Sequence, residues 1–252
     1  MPTVHVNDID MYYEVHGEGE PLLVIWGIGG EIPSLIDELA ERMRGNYWVI
    51  HFDNRGSGRT EKPDIPYSIE MMADDTAGLM DAIRIQRAHI LGISTGSRIA
   101  LAVAARHPDK VRSLVLNVAA ARSPDREYPE AAAAFERLRV AMTQPGFAES
   151  VLVHPPTVAS FKRQFEALRE FYGRSLLVQI GAPVLIVNGT RDPSTPVRYA
   201  EELRAGIRGA RLVLVDNDHM FARTAPDLLV RPALVFLAEV DERTGKNGID
   251  KP

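Results

Sequence analysis

The chain has 252 residues, 29 basic against 34 acidic side chains for a net charge of −5, and no cysteine. That length suits one large domain or two small ones, and a single α/β core of this size buries about three quarters of its unfolded surface without needing staples. The absent cysteines exclude disulfides, thiolate zinc sites and a cysteine nucleophile, and Met1 to Asp10 has no basic segment leading into an apolar run, so a cytoplasmic setting is expected.

From Val4 to Val15 the pattern VHVNDIDMYYEV alternates and breaks at Asn7-Asp8, which predicts an edge hairpin of two antiparallel strands. Leu22 to Trp26 is a short apolar strand followed by Gly27, Gly29 and Gly30, and Ile32 to Met43 then spaces apolar residues as a helix does. Tyr47 to Phe52 reads as the next buried strand, closed by the turn-rich run Asp53-Asn54-Arg55-Gly56-Ser57-Gly58, which is a structural turn in its simplest reading. A helix is predicted over Ile69 to Ile83, a strand over Ala88 to Gly92 and an alanine-rich helix over Ile99 to Arg106. His107-Pro108 stops that helix, and Ser113 to Asn117 is again apolar.

The alternation then lapses. Between Arg122 and Val178 no buried strand is predicted; Pro129 to Met142, Phe147 to Val153 and Val158 to Leu177 read as helices, and five of the eight phenylalanines fall there. It returns with a strand at Val184 to Asn188, a helix at Val197 to Arg204, a strand at Arg211 to Val215 and a helix from Asp227 to Val240. Regular strand and helix alternation calls for a mostly parallel, twisted sheet with helices on both faces. The expected organisation is therefore an α/β core of residues 1–121 and 179–240, a helical cap of residues 122–178 over the carboxyl ends of the strands, and a disordered polar tail at 241–252.

Between the predicted strand at Ala88 and the helix that follows lies Gly92-Ile93-Ser94-Thr95-Gly96. A serine at the tip of so sharp a strand-to-helix turn sits in strained backbone, and its neighbours two residues away must lack a Cβ. Such a turn projects the Ser94 hydroxyl above a helix N-terminus, where free N–H groups favour developing negative charge. A serine hydroxyl needs a base, and the base needs an acid to hold it. Asp192 lies a few residues beyond the strand at Val184, and His219 just beyond the strand at Arg211, with Asp216 and Asp218 as rivals for the acid.

Five separated motifs, Trp26 to Gly30, Asp53 to Gly58, Gly92 to Gly96, Gly189 to Pro196 and Asp218-His219, resemble the α/β-hydrolase fold superfamily from about Val4 to Leu237. Within it the chain is similar to small one-cap carboxylesterases and to enol-lactone hydrolases of aromatic catabolism. The resemblance implies Ser94 as nucleophile, His219 as general base and then acid, Asp192 as orienting carboxylate, and the backbone N–H groups of Ile28 and Thr95 as oxyanion hole. Two positions depart from the pattern. Trp26 stands where most relatives carry histidine, and Thr95 with Gly96-Ser97-Arg98 replaces a bulky flexible residue and a glycine pair.

Trp26, Phe135 and His154 are candidate pocket residues, while His51 and His89, lying in strands, read as satisfied core groups. No metal-ligand spacing and no complete dinucleotide loop is found, so neither metal nor cofactor is expected. The implied activity is hydrolysis of a small-molecule carboxylic ester or lactone through an acyl-enzyme. Perhydrolysis, thioester cleavage and carbon–carbon bond hydrolysis use the same three residues, and a receptor-like, non-catalytic ligand binder is the rival class. The interspersed charges argue against a nucleic-acid partner, the lack of about 20 consecutive apolar residues argues against a membrane, and oligomeric state is not legible.

Overall fold

The computed structural model describes residues 3–31, 37–123 and 128–247. These form eight strands in one sheet, β1 (Thr3–Val6), β2 (Ile9–His16), β3 (Glu20–Ile25), β4 (Tyr47–Phe52), β5 (Ala88–Ile93), β6 (Val111–Asn117), β7 (Val184–Gly189) and β8 (Arg211–Val215), in the order β1-β2-β4-β3-β5-β6-β7-β8. β1, β2 and β4 pair antiparallel, and every pairing from β4 through β8 is parallel. The hairpin at the edge turns at Asn7, which adopts a φ of 53°.

Nine α-helices occur among the described residues: α1 (Asp37–Met43), α2 (Ile69–Ala82), α3 (Thr95–Arg106), α4 (Pro129–Met142), α5 (Phe147–Val151), α6 (Val158–Glu170), α7 (Val197–Gly206), α8 (Phe221–Thr224) and α9 (Asp227–Asn247). The first five positions of the predicted helix at Ile32 lie outside the described residues. The parallel strands are apolar on both faces because helices cover both. Alternate residues of β5 divide accordingly: Ala88 and Ile90 join the core under α2, α3 and α7, while Leu91 and Ile93 join the core under α1 and α9. α4, α5 and α6 lie between β6 and β7, where Phe161, Phe165 and Phe171 extend the first of these cores.

Two expectations need correction. The predicted disordered tail is helical up to Asn247, and residues 248–252 lie outside the described set. Asp241 explains the docking: its carboxylate accepts from the Tyr47 hydroxyl at 3.1 Å and from Arg112 at 3.2 Å, and lies 2.9 Å from His89 Nε2. Polarity marked this stretch as solvent-facing, but the polar partners are supplied by the amino ends of β4, β5 and β6. His89 is satisfied on its other side by Ser113 at 2.7 Å. His51 is not a satisfied core group. Neither ring nitrogen has a hydrogen-bond partner among the described residues, and burial pulls its pKa down to about 3; the ring packs instead on Trp26 and His16.

The docked end of α9 gives a direct check. Asp241→Ala strands the buried His89 and Tyr47 partners and should cost about 1–3 kcal/mol, read as a lower urea midpoint. An unchanged midpoint would mean that residues 241–247 are not held against the sheet.

Candidate active site

The turn after β5 is as tight as the glycine spacing demands. Ser94 has φ 55° and ψ −112°, a conformation that L-residues rarely adopt. A Cβ on Gly92 would lie 2.5 Å from the Gly96 carbonyl oxygen, and one on Gly96 would lie 1.9 Å from the Ile25 carbonyl oxygen at the end of β3. α3 starts at Thr95, directly after the serine, so the N–H groups of its first turn have no partner within the helix. Ser97 fixes the turn from below, its hydroxyl donating to Gly92 and Asn117 carbonyls at 2.7 and 2.9 Å. This residue, noted in the sequence only as a departure, is a structural strut.

The loops after β7 and β8 are laced together. The N–H groups of Thr190 and Arg191 donate to the carbonyls of Val215 and Asn217, and Gly189 leaves no room for a side chain beside Asn217. Asp192 and His219 are thereby set facing each other. His219 Nδ1 lies 2.7 Å from Asp192 Oδ2, and its Nε2 lies 3.1 Å from Ser94 Oγ. Asp192 is almost wholly buried and accepts from the N–H groups of Ser194 and Thr195 at 2.8 and 2.9 Å, and from the Thr195 hydroxyl. Burial alone would raise its pKa, but the hydrogen bond and electrostatic attraction of the His219 ring, with the Thr195 donors, hold the carboxyl below its usual range. The rivals point elsewhere: Asp216 pairs with Arg191, and Asp218 accepts from the Met220 N–H.

The five residues expected around the hydroxyl are therefore brought together. Ile28, Ser94, Thr95 and His219 line one cavity, and Asp192 sits behind the histidine. The loop after β3 approaches closely, since a Cβ on Gly27 would be 3.4 Å from that of Ser94. Phe135 also lines the cavity, with the Phe165 ring packed edge-on to it at an interplanar angle of 74°. The other two pocket expectations are corrected. Trp26 follows β3 with its side chain turned into the opposite core, where it stacks on His51, and it does not border the cavity. His154 does not border it either; its backbone N–H is held at 2.6 Å by the buried Glu31 carboxylate, which also takes the Val153 N–H.

Three positioning residues escaped the sequence reading. Gln164 of α6 accepts from the Gly29 N–H at 3.0 Å and donates to the Arg55 carbonyl and the Ser57 hydroxyl, joining α6 to two loops at once. Glu31 does the same from the core side. Arg55, fully buried, grips Asp75 and Asp8 and so rigidifies the turn after β4. None belongs to a periodic pattern, so only their polarity within turn or helix segments hinted at them. Among the described residues no cluster of three or more His, Asp or Glu is arranged to hold a metal, and no helix is long and apolar enough to cross a membrane.

Sheet order, elbow turn and aligned serine, histidine and aspartate define the class of protein: an α/β sheet enzyme scaffold with a nucleophile-type turn at the carboxyl edge. A family profile described as alpha/beta hydrolase fold matches residues 16–156, and one described as TAP-like protein matches residues 172–246. The chain belongs to the alpha/beta hydrolase fold family. It is 30% identical to "Putative carbamate hydrolase RutD" of Azorhizobium caulinodans, over 96% of this chain and 100% of that protein. It is 32% identical to a pimeloyl-[acyl-carrier protein] methyl ester esterase of Neisseria meningitidis, over 81% of this chain and 69% of that one. The crystal structure of the enol-lactonase from Burkholderia xenovorans LB400 superimposes with a TM-score of 0.81 at 28% identity, covering 94% of this chain and 100% of the other.

The tightness of the elbow predicts a position-specific effect. Gly96→Ala should destabilise the fold by about 1–3 kcal/mol or prevent it, because the added methyl meets backbone rather than a yielding side chain. Gly181→Ala, with open space around it, should stay within about 0.5 kcal/mol of wild type. Equal melting temperatures for the two variants would refute the close approach of α3 to β3.

Proposed function

We propose that this protein is a serine hydrolase of carboxylic esters or lactones, acting on a small-molecule substrate through an acyl-enzyme. The observation that carries the proposal is the continuous hydrogen-bonded line from Ser94 Oγ through both nitrogens of His219 to Asp192. An ionised Asp192 accepting from Nδ1–H leaves Nε2 as the acceptor facing the serine, which is the tautomer a general base requires. Ser94 attacks the substrate carbonyl as His219 takes its proton. The oxyanion gathers N–H bonds from Ile28 and Thr95, each donor contributing roughly 10² to 10³ in rate. His219 then delivers the proton to the departing alkoxide, and a water activated by the same nitrogen releases the acid. Support comes also from relatives whose names describe ester, carbamate and enol-lactone chemistry, all hydrolyses at a carbonyl.

A fluorophosphonate probe separates this reading from a non-catalytic binder. The proposal expects stoichiometric labelling of wild type at Ser94, none in Ser94→Ala, and in Asp192→Asn an unchanged circular dichroism spectrum with kcat for a p-nitrophenyl ester lowered by about 10⁴. A folded wild type that takes no label, or Asp192→Asn turning over at the wild-type rate, overturns it.

A further inference from the structure

One turn beyond Ser94 on α3 stands Arg98, only 6% exposed and bordering the same cavity as Ser94, Thr95 and His219. Among the described residues its guanidinium makes a single hydrogen bond, 3.3 Å long, to the Leu168 carbonyl of α6. No carboxylate among the described residues pairs with it. The contrast with Arg55 is direct, because that equally buried guanidinium is enclosed by the two carboxylates of Asp75 and Asp8. Desolvation pulls the Arg98 pKa down to about 10, which still leaves it charged at neutral pH. A buried charge without a counter-ion is costly, and a guanidinium has five N–H donors to satisfy.

The position of this charge limits what can satisfy it. α3 leaves directly from the elbow at Ser94, and Arg98 in its first turn lines the same cavity as the serine hydroxyl. Apart from His219, the remaining walls of the cavity are apolar, such as Phe135 and Phe165, or carry hydroxyls, and no acid borders it among the described residues. Substrate is what enters this space.

We propose that Arg98 is a specificity determinant that pairs with a free carboxylate on the substrate, so that the natural ester or lactone is that of an acid bearing a second carboxylate a few atoms from the scissile carbonyl. This rests on the hydrolase reading of the site. The planar fork of a guanidinium takes a carboxylate through two parallel hydrogen bonds, and the exclusion of water strengthens them. Free enzyme bears the desolvation cost of Arg98, and bound substrate relieves it. A neutral acyl chain of the same length fills the apolar walls but leaves the donors unmet.

The test compares p-nitrophenyl hydrogen glutarate with p-nitrophenyl valerate, esters of similar length that differ in the terminal carboxylate. Wild type should favour the glutarate ester in kcat/KM by about tenfold or more, mainly through KM, and the ratio should fall to about one in Arg98→Met and Arg98→Gln. Glutarate itself should raise the melting temperature of Ser94→Ala and not that of the double variant Ser94→Ala/Arg98→Met. Should the Arg98 variants not fold, protection of wild-type Ser94 from the fluorophosphonate by glutarate but not by valeramide supports the pairing, and equal protection overturns it. Wild type labelled at Ser94 yet indifferent to the carboxylate, or a preference that survives in folded Arg98 variants, sinks the inference and leaves the hydrolase reading standing. Glutarate binding that depends on Arg98, in a protein that neither labels nor turns over, keeps the carboxylate site and removes the hydrolase.

Discussion

The first turn of α3 passes so close to the end of β3 that residue 96 has no space for even a methyl group. That contact is what the site depends on. It pins the turn from which Ser94 projects, and the surrounding sheet over-determines a backbone conformation that an isolated chain would abandon. It also decides where the loop after β3 must run, which is why Gly27 and Ile28 lie beside the hydroxyl rather than over the neighbouring strand. The loops after β7 and β8 are tied to each other by backbone hydrogen bonds, so the histidine reaches the serine as part of a rigid pair with its aspartate.

A second layer of polar contacts fastens the inserted helices onto this frame. Glu31 reaches from the core into the insertion, and Gln164 reaches from the insertion into the core. Both are buried, and both engage the loop that carries Ile28, so movement of the insertion and shape of the loop beside Ser94 are mechanically linked. Arg98 adds a third connection through Leu168, but a weak one for a charged group. The two strong clamps satisfy their groups within the protein. Arg98 has only the bond to Leu168 among the described residues and stands at the cavity wall, and on the proposed reading it serves recognition rather than scaffolding.

Much of this was legible in the sequence because the rules involved are local or periodic. Short apolar runs separated by helical spacing announce a parallel sheet, and a serine between glycines at a strand-to-helix junction announces the elbow before any coordinates are seen. Asp192 and His219 could be picked out because they stand just past strand ends, where such sheets carry their chemistry. The failures have physical reasons of the same kind. Trp26 looked like a pocket residue because it adjoins the oxyanion loop, but the alternation of strand side chains carries it to the opposite face. His154 was placed in the right segment, yet the segment is held by its backbone and not by its ring. The polar stretch from Asp241 was read as solvated because its partners, His89, Tyr47 and Arg112, lie on three different strands and leave no trace in local pattern. Arg98 was visible only as a departure from a motif, since burial and the absence of a counter-ion are properties of the folded chain.

The most direct measurement of the central claim is to catch the covalent intermediate. A slowly deacylating p-nitrophenyl ester is mixed with the protein, quenched in acid while turning over, and the digest is read by mass spectrometry. The account predicts an acyl increment on the peptide that carries Ser94, approaching one per chain, and its disappearance on longer incubation without substrate. Turnover with no increment on that peptide, or an increment on another residue that persists in Ser94→Ala, would contradict it.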